Sequence, residues 1–215
     1  MPAGSYHLSV AKIVNKELHQ DEYVFNIASI APDCWRHSKL HSDKHTSHFS
    51  IPYEMNGLNV FIEDYKTFYN KYKNNLDDPF VLGYLIHLMT DFYYKENVTS
   101  RYQFKIDGVK KIKTKDGYFE GTNEEIKEYL HNQNAIATAK IAKHFNVEVI
   151  GLDKVIECFV DEIDLSGLIN TINYINESNF KVFTAESEIY EDEDLFNDVI
   201  NCSKFILEEL ENLKK

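Results

Sequence analysis

Chain breakers are scarce in this sequence, with eight glycines and four prolines in 215 residues. Their scarcity argues against a many-turned sheet protein and for long helices. Cysteine is almost as rare. Cys34, Cys158 and Cys202 are far apart, odd in number and form no CxxC, so neither a disulfide framework nor a cysteine zinc site is expected. Free thiols in a reducing compartment fit them better. No run of about 18 apolar residues exists, which excludes an ordinary transmembrane helix. The opening Met1-Pro2-Ala3-Gly4-Ser5 carries neither the basic nor the apolar part of a secretory signal, so a cytoplasmic protein without membrane insertion is expected. Positive charge is also in deficit: 23 Lys and Arg against 35 Asp and Glu give a net charge of −12. Such a chain does not attract nucleic acid through its overall field. A phosphate-bearing substrate would need a local positive element, and a bound metal cation is one.

What is present is an ordinary globular composition, 43% hydrophobic and 27% charged. It is read as one domain over residues 1–215, all-α, with a small β-hairpin near 101–120. Ser5 is placed as the cap of a first helix, whose stripe of His7, Val10, Ala11, Val14 and Leu18 faces inward. A second helix spans Glu22 to Ile30 and stops ahead of Pro32, which leaves Asp33 on a loop. Residues 33–57 read as irregular and hold His37, His41, His45 and His48. Leu58 to Leu76 reads as an aromatic-rich amphipathic helix. Asp78-Pro79 is a cap followed by a favoured first residue. The helix it opens, Phe80 to Tyr94, is apolar almost all round and belongs at the centre. The 101–120 segment has short alternation and turn signals at Asp107-Gly108 and Asp116-Gly117. It also concentrates lysine: Lys105, Lys110, Lys111, Lys113 and Lys115 follow Arg101. Charges there would keep a hairpin soluble or neutralise a phosphate. Thr122 and Glu125 form a capping box for the next helix. Further helices are placed at 152–162, 165–177 and 187–213.

The sharpest chemical signal is His87-Leu-Met-Thr-Asp91. At this spacing an imidazole and a carboxylate share one helix face, one turn apart, as two metal ligands on a helix must. The helix is the most buried in the chain, and an ionised Asp in an apolar core is costly unless it is paired or bound to a metal. A hydrogen-bonded His–Asp pair tying helices together is the other reading. His7 is either a core histidine or a ligand, Asp33 a turn residue or a ligand, and His48 a loop histidine or a ligand. Together the five offer three imidazoles and two carboxylates, a nitrogen and oxygen set suited to zinc and open to other divalent transition metals.

These residues also carry a resemblance. Gly4-Ser5-Tyr6-His7, Ile30-Ala31-Pro32-Asp33, Ser47-His48-Phe49 and Gly83-Tyr-Leu-Ile-His87-Leu-Met-Thr-Asp91 are similar, in order and approximate interval, to the metal-binding elements of the zinc-dependent phospholipase C family. That family includes bacterial phospholipases C and, more distantly, single-strand-specific nucleases, and it is all-helical. The resemblance covers about the first 95 residues. It implies that His7, Asp33, His48, His87 and Asp91 are metal ligands. It also implies that Asp33 orients or deprotonates the attacking water, and that the reaction is hydrolysis of a small phosphodiester such as a phospholipid head group or a nucleotide.

The chain departs from the family pattern at three points. Secreted members use their cleaved N-terminal amine and its residue as metal ligands, whereas this sequence begins at Met1. The family's histidine six residues after the HxxxD aspartate is Asn97 here, and His144-Phe-Asn-Val-Glu148 comes too late to stand for the family's HxxxE. One or two zinc ions are therefore expected rather than three. The competing reading is a non-catalytic helical metal-binding protein that engages a ligand or partner. His37, His41 and His45 recur every four residues, either as a solvated face or as supporting donors. His131 reads as a surface residue.

Overall fold

The structure, a computed structural model, describes residues 3–38, 43–179, 181, 183 and 185–215. Among the described residues helices hold 61%, but five strands form two small antiparallel sheets. The all-α expectation is corrected accordingly: the protein is mixed α/β, and its strands are not confined to one hairpin.

The helices are α1 (Gly4–Leu18), α2 (Glu22–Ala28), α3 (Lys44–Ser47), α4 (Tyr65–Tyr72), α5 (Pro79–Asn97), α6 (Asn123–His144), α7 (Leu168–Asn179) and α8 (Asp192–Leu213). A three-ten turn spans Ala31–His37. The first sheet pairs β1 (Ser50–Met55) with β2 (Leu58–Glu63), and the second runs β3 (Gln103–Ile106), β4 (Val109–Thr114), β5 (Gly117–Phe119).

The first sheet is the main departure from the sequence reading. The helix expected over Leu58–Leu76 is a strand followed by α4. Its cause is local: Asn56 and Gly57 take φ of 51° and 75°, the left-handed pair of a two-residue hairpin turn. That turn sets the register Met55↔Leu58 through Ser50↔Glu63. Asp64 then accepts a hydrogen bond from the Thr67 amide and starts α4 afresh. Asp107 and Gly108 make the same kind of turn between β3 and β4, at φ 54° and 80°. Asn56 links the two sheets, because its carbonyl accepts from the Lys105 amide at 3.0 Å.

Four smaller expectations also change. Ser5 is not a cap; Ala3 holds that position, and the buried Ser5 hydroxyl donates to the Thr138 carbonyl. Residues 152–162 form no helix, since their backbone is held by side chains instead: the Tyr23 and Tyr72 hydroxyls accept from the Lys154 and Asp161 amides. Asp33 lies inside the three-ten turn rather than on a free loop. The last helix begins at Asp192, not near residue 187.

The central helix is α5, as its composition implies. Asp78 caps it by accepting from the Phe80 and Val81 amides, and every residue from Phe80 to Asp91 is buried. Around it pack α1, α2, α4 and α8. Contact with α2 is the tightest: a Cβ on Gly83 would stand 2.7 Å from Ala28 Cβ and 2.8 Å from the Phe25 carbonyl oxygen. Among the described residues, no helix is long and apolar enough to cross a membrane.

Candidate metal centre

Three elements converge on one face of α5. His87 and Asp91 lie one turn apart on it, exposed 0% and 2%. From α1, His7 stacks flat on His87, with ring centres 4.0 Å apart and planes 6° apart. His48 follows the last turn of α3, held where the Tyr84 hydroxyl donates to the Ser47 carbonyl. Asp33 enters from the three-ten turn. All five residues singled out in the sequence therefore meet at one place.

The donor atoms are close. His7 Nε2 is 3.3 Å from Asp91 Oδ1, and His48 Nε2 is 3.6 Å from both Asp33 Oδ1 and Asp91 Oδ2. His87 Nε2 lies 3.7 Å from Asp91 Oδ2 and 3.3 Å from His48 Nε2. Two ligands at zinc bond lengths of about 2.0–2.2 Å, set at the tetrahedral angle, stand about 3.4 Å apart. Two triads, His7/Asp33/His87 and His48/His87/Asp91, each bring their donor atoms within 4.8 Å of one another.

The proton inventory sharpens the fit. His87 Nδ1 lies 2.8 Å from the Ser29 carbonyl, which only accepts, so the proton sits on Nδ1 and Nε2 presents a bare lone pair to the cluster. Ser47 Oγ holds His48 Nδ1 at 2.8 Å and leaves its Nε2 turned inward. Meanwhile both ring nitrogens of His7, Asp33 Oδ1 and both oxygens of Asp91 are buried without a hydrogen-bond partner among the described residues. His7 and Asp91 are near each other at 3.3 Å but are not aligned as a hydrogen bond. Buried polar atoms in this number are exceptional unless something else binds them. Imidazole nitrogens turned inward and two carboxylates with unpaired oxygens describe a cradle for a cation.

Electrostatics agree. Burial pushes the His87 imidazole down to about 3, helped by His7, so it is neutral and ligand-ready at ordinary pH. Burial alone would raise Asp33 and Asp91. The close approach of His48 to Asp33 and of His7 to Asp91, with the neighbouring imidazoles, outweighs it and holds both carboxyls below their usual range.

Asp33 is the most exposed of the five, its side chain at 15%, and it opens onto a cavity of about 770 Å³. The three-ten turn, α6 and α7 wall this cavity, and Arg36, His37, Lys44, Lys110 and His131 lie on its lining. Asn179, buried and with its amide unpaired among the described residues, also faces it.

Sequence reasoning missed one residue here. Glu63, at the end of β2, is 1% exposed with neither oxygen hydrogen-bonded. Burial raises its pKa, and repulsion from Asp91 adds to this. Only the hairpin places it, and the hairpin was not read. Among the described residues, the other histidines stand outside the cluster. His45 is exposed and lies against Phe61, and His144 stacks on Phe196. His37 and His131 line the cavity without joining either triad. His41 falls outside the described residues. Asn97 is exposed and donates to the Tyr93 carbonyl, away from the cluster.

Comparison with family models, curated proteins and solved structures found no match.

Proposed function

We propose that the protein is a metal-dependent hydrolase of small phosphodiesters, in the manner implied by its resemblance to the zinc-dependent phospholipase C family. The observation that carries this reading is the convergence of His7, Asp33, His48, His87 and Asp91, with five buried atoms on His7, Asp33 and Asp91 left unpaired. Zinc suits the donor set. Since His87 has one free nitrogen and belongs to both triads, one ion sits more naturally there than two. The exposed Asn97 fits the same low count.

A divalent cation in this cradle lowers the pKa of a water and stabilises charge on phosphoryl oxygens. The chain's own residues do the rest. Asp33, the carboxylate of the cluster that reaches the cavity, accepts a proton from the attacking water. Arg36, whose charge already acts on Asp33, faces phosphoryl oxygens from the cavity wall. The Ser29 carbonyl and the Ser47 hydroxyl fix the two imidazoles that must not rotate. Nucleic acid is not the expected substrate at a net charge of −12, and a cytoplasmic location belongs to the same proposal.

The test is metal content by mass spectrometry on untagged protein purified without chelator, paired with hydrolysis of bis(p-nitrophenyl) phosphate. About one zinc per chain, lost in His87→Ala, with hydrolysis lost in Asp33→Asn, is the expected result. No zinc in any preparation, even after supplementation, would sink the reading. Zinc without hydrolysis would favour the alternative of a metal-binding module that engages a ligand in the cavity.

A further inference from the structure

Three lysines from three elements gather beside the metal cradle. Lys44 comes from α3, four residues before His48. Lys95 comes from α5, one turn beyond Asp91. Lys110 comes from β4, where the two-residue period puts it on the same face as the fully buried Ile112. Its neighbour Lys111 points the other way and pairs with Glu120 at 2.6 Å.

The lysines are near enough to repel. Lys95 is driven below its usual pKa by burial, with Lys44 adding to the effect, and Lys110 likewise by burial and then by Lys95. Compensation is partial: Glu63 stands 3.8 Å from Lys44 and, with Asp91, offsets part of the shift on Lys95, and among the described residues Lys95 and Lys110 have no ion-pair partner within contact distance. Like charges partly withdrawn from water cost stability, and in a chain of net charge −12 the overall composition does not account for them. The placement has a direction: Lys44, Lys110 and Arg36 all line the 770 Å³ cavity onto which Asp33 opens.

We propose that Lys44 and Lys110, backed by Lys95 and flanked by Arg36, form a subsite for a second anionic group on the substrate. The substrate of the proposed hydrolase is thus a phosphodiester carrying a further phosphate, not one with a cationic head group. This rests on the hydrolase reading for the word substrate. The subsite itself rests on the lysines alone. Amines here act as point charges on phosphate oxygens, and their desolvation strengthens each contact. A trimethylammonium group would meet the charges of Lys44, Lys110 and Arg36 and be rejected from this subsite.

The experiment is calorimetric titration of the full chain, zinc content measured on every sample, with glycerol phosphate, glycerol bisphosphate and phosphocholine. Glycerol bisphosphate is expected to bind about tenfold more tightly than glycerol phosphate, with the advantage shrinking as salt rises. Lys44→Gln combined with Lys110→Gln should bring the two ligands to within about twofold of each other, with zinc content and the circular dichroism spectrum unchanged. Vesicles of phosphatidylcholine doped with a phosphatidylinositol phosphate locate the source. Lysine-dependent binding to them assigns a lipid head group, and binding of soluble bisphosphate alone assigns a free metabolite. Equal affinities in the wild type, a preference that survives the double variant, or tighter binding of phosphocholine would overturn the proposal. Lysine-dependent bisphosphate binding in a protein that takes up no zinc would uphold the subsite while the hydrolase reading falls.

Discussion

Gly83→Ala tests whether the packing of α2 on α5 sets the metal centre. A Cβ at residue 83 would sit 2.7 Å from Ala28 Cβ and 2.8 Å from the Phe25 carbonyl oxygen, where ordinary contact begins near 3.4 Å. One obstacle is backbone, so no side-chain rotation relieves the clash and α2 must move away from α5. Overpacking of this kind costs about 1–3 kcal/mol, and alanine returns up to about 1 kcal/mol over glycine through helix propensity. At about 2 kcal/mol for the clash less about 1 for the return, the net loss is about 1 kcal/mol, which in a chain of this length lowers Tm by about 2–4 °C. The site should feel the same shift. Residue 83 is one turn before His87, and Ala28 is next to Ser29, whose carbonyl holds His87 Nδ1 at 2.8 Å. Loosening such a supporting bond weakens metal binding by about tenfold or more. The assay is a thermal melt of chelator-treated protein beside a zinc titration. Adding Ala28→Gly removes the 2.7 Å contact but not the 2.8 Å one, so it should recover only part of both losses. An unchanged Tm together with unchanged zinc affinity would refute the claim that α2 and α5 form a rigid frame for His87.

Zinc at about one hundred times its Kd should stabilise the wild type by about 2.7 kcal/mol, a rise in Tm of about 5–11 °C; scanning calorimetry should show no such rise in His87→Ala. Asp198 is raised to about 6, by burial and in spite of its ion pair with Arg101. A carboxyl raised in the folded state contributes stability that is present below its unfolded pKa near 3.8 and lost as pH rises through 6, so Asp198→Asn should flatten the urea-stability profile between about pH 4 and 6. Glu63→Gln removes a buried carboxylate that burial and Asp91 both disfavour. The metal-free variant should melt higher than wild type, with a gain at pH 8 exceeding that at pH 4, because a raised carboxyl loses stability as pH climbs from its unfolded pKa to its folded one and keeps that loss above it.

Legibility followed the strength of local signals. The capping box at Thr122 and Glu125 and the Asp78-Pro79 start of α5 are geometry written into adjacent residues, and both form as read. Asp107-Gly108 was read as a turn and is one. Asn56-Gly57 is the same signal, but it is masked by Phe61, Tyr65, Phe68 and Tyr72, which recur at spacings that mimic a helix. In the structure Tyr65, Phe68 and Tyr72 are buried on α4, whereas Phe61 is 44% exposed on β2. A run of aromatics cannot say where the period changes from two to 3.6, but a turn pair can. Glu63 and the inward face of Lys110 were hidden for a related reason, since strand register decides which side a charge takes.

The site residues were more legible than the strands because their cost is visible in the sequence. A helix apolar on every side leaves His87 and Asp91 nowhere to face but the interior, and a buried carboxylate needs a counter-charge. That demand can be met by donors from the protein or by a cation. Imidazoles carried on α1 and after α3 approach Asp91 to 3.3 and 3.6 Å, yet neither is aligned to hydrogen-bond it, and His87 spends its Nδ1 proton on Ser29 rather than on the aspartate. In a purely structural His–Asp network His87 would turn that proton toward Asp91, one turn away, and satisfy one of its two orphaned oxygens. The proton points away, which is the tautomer that a cation between the rings requires.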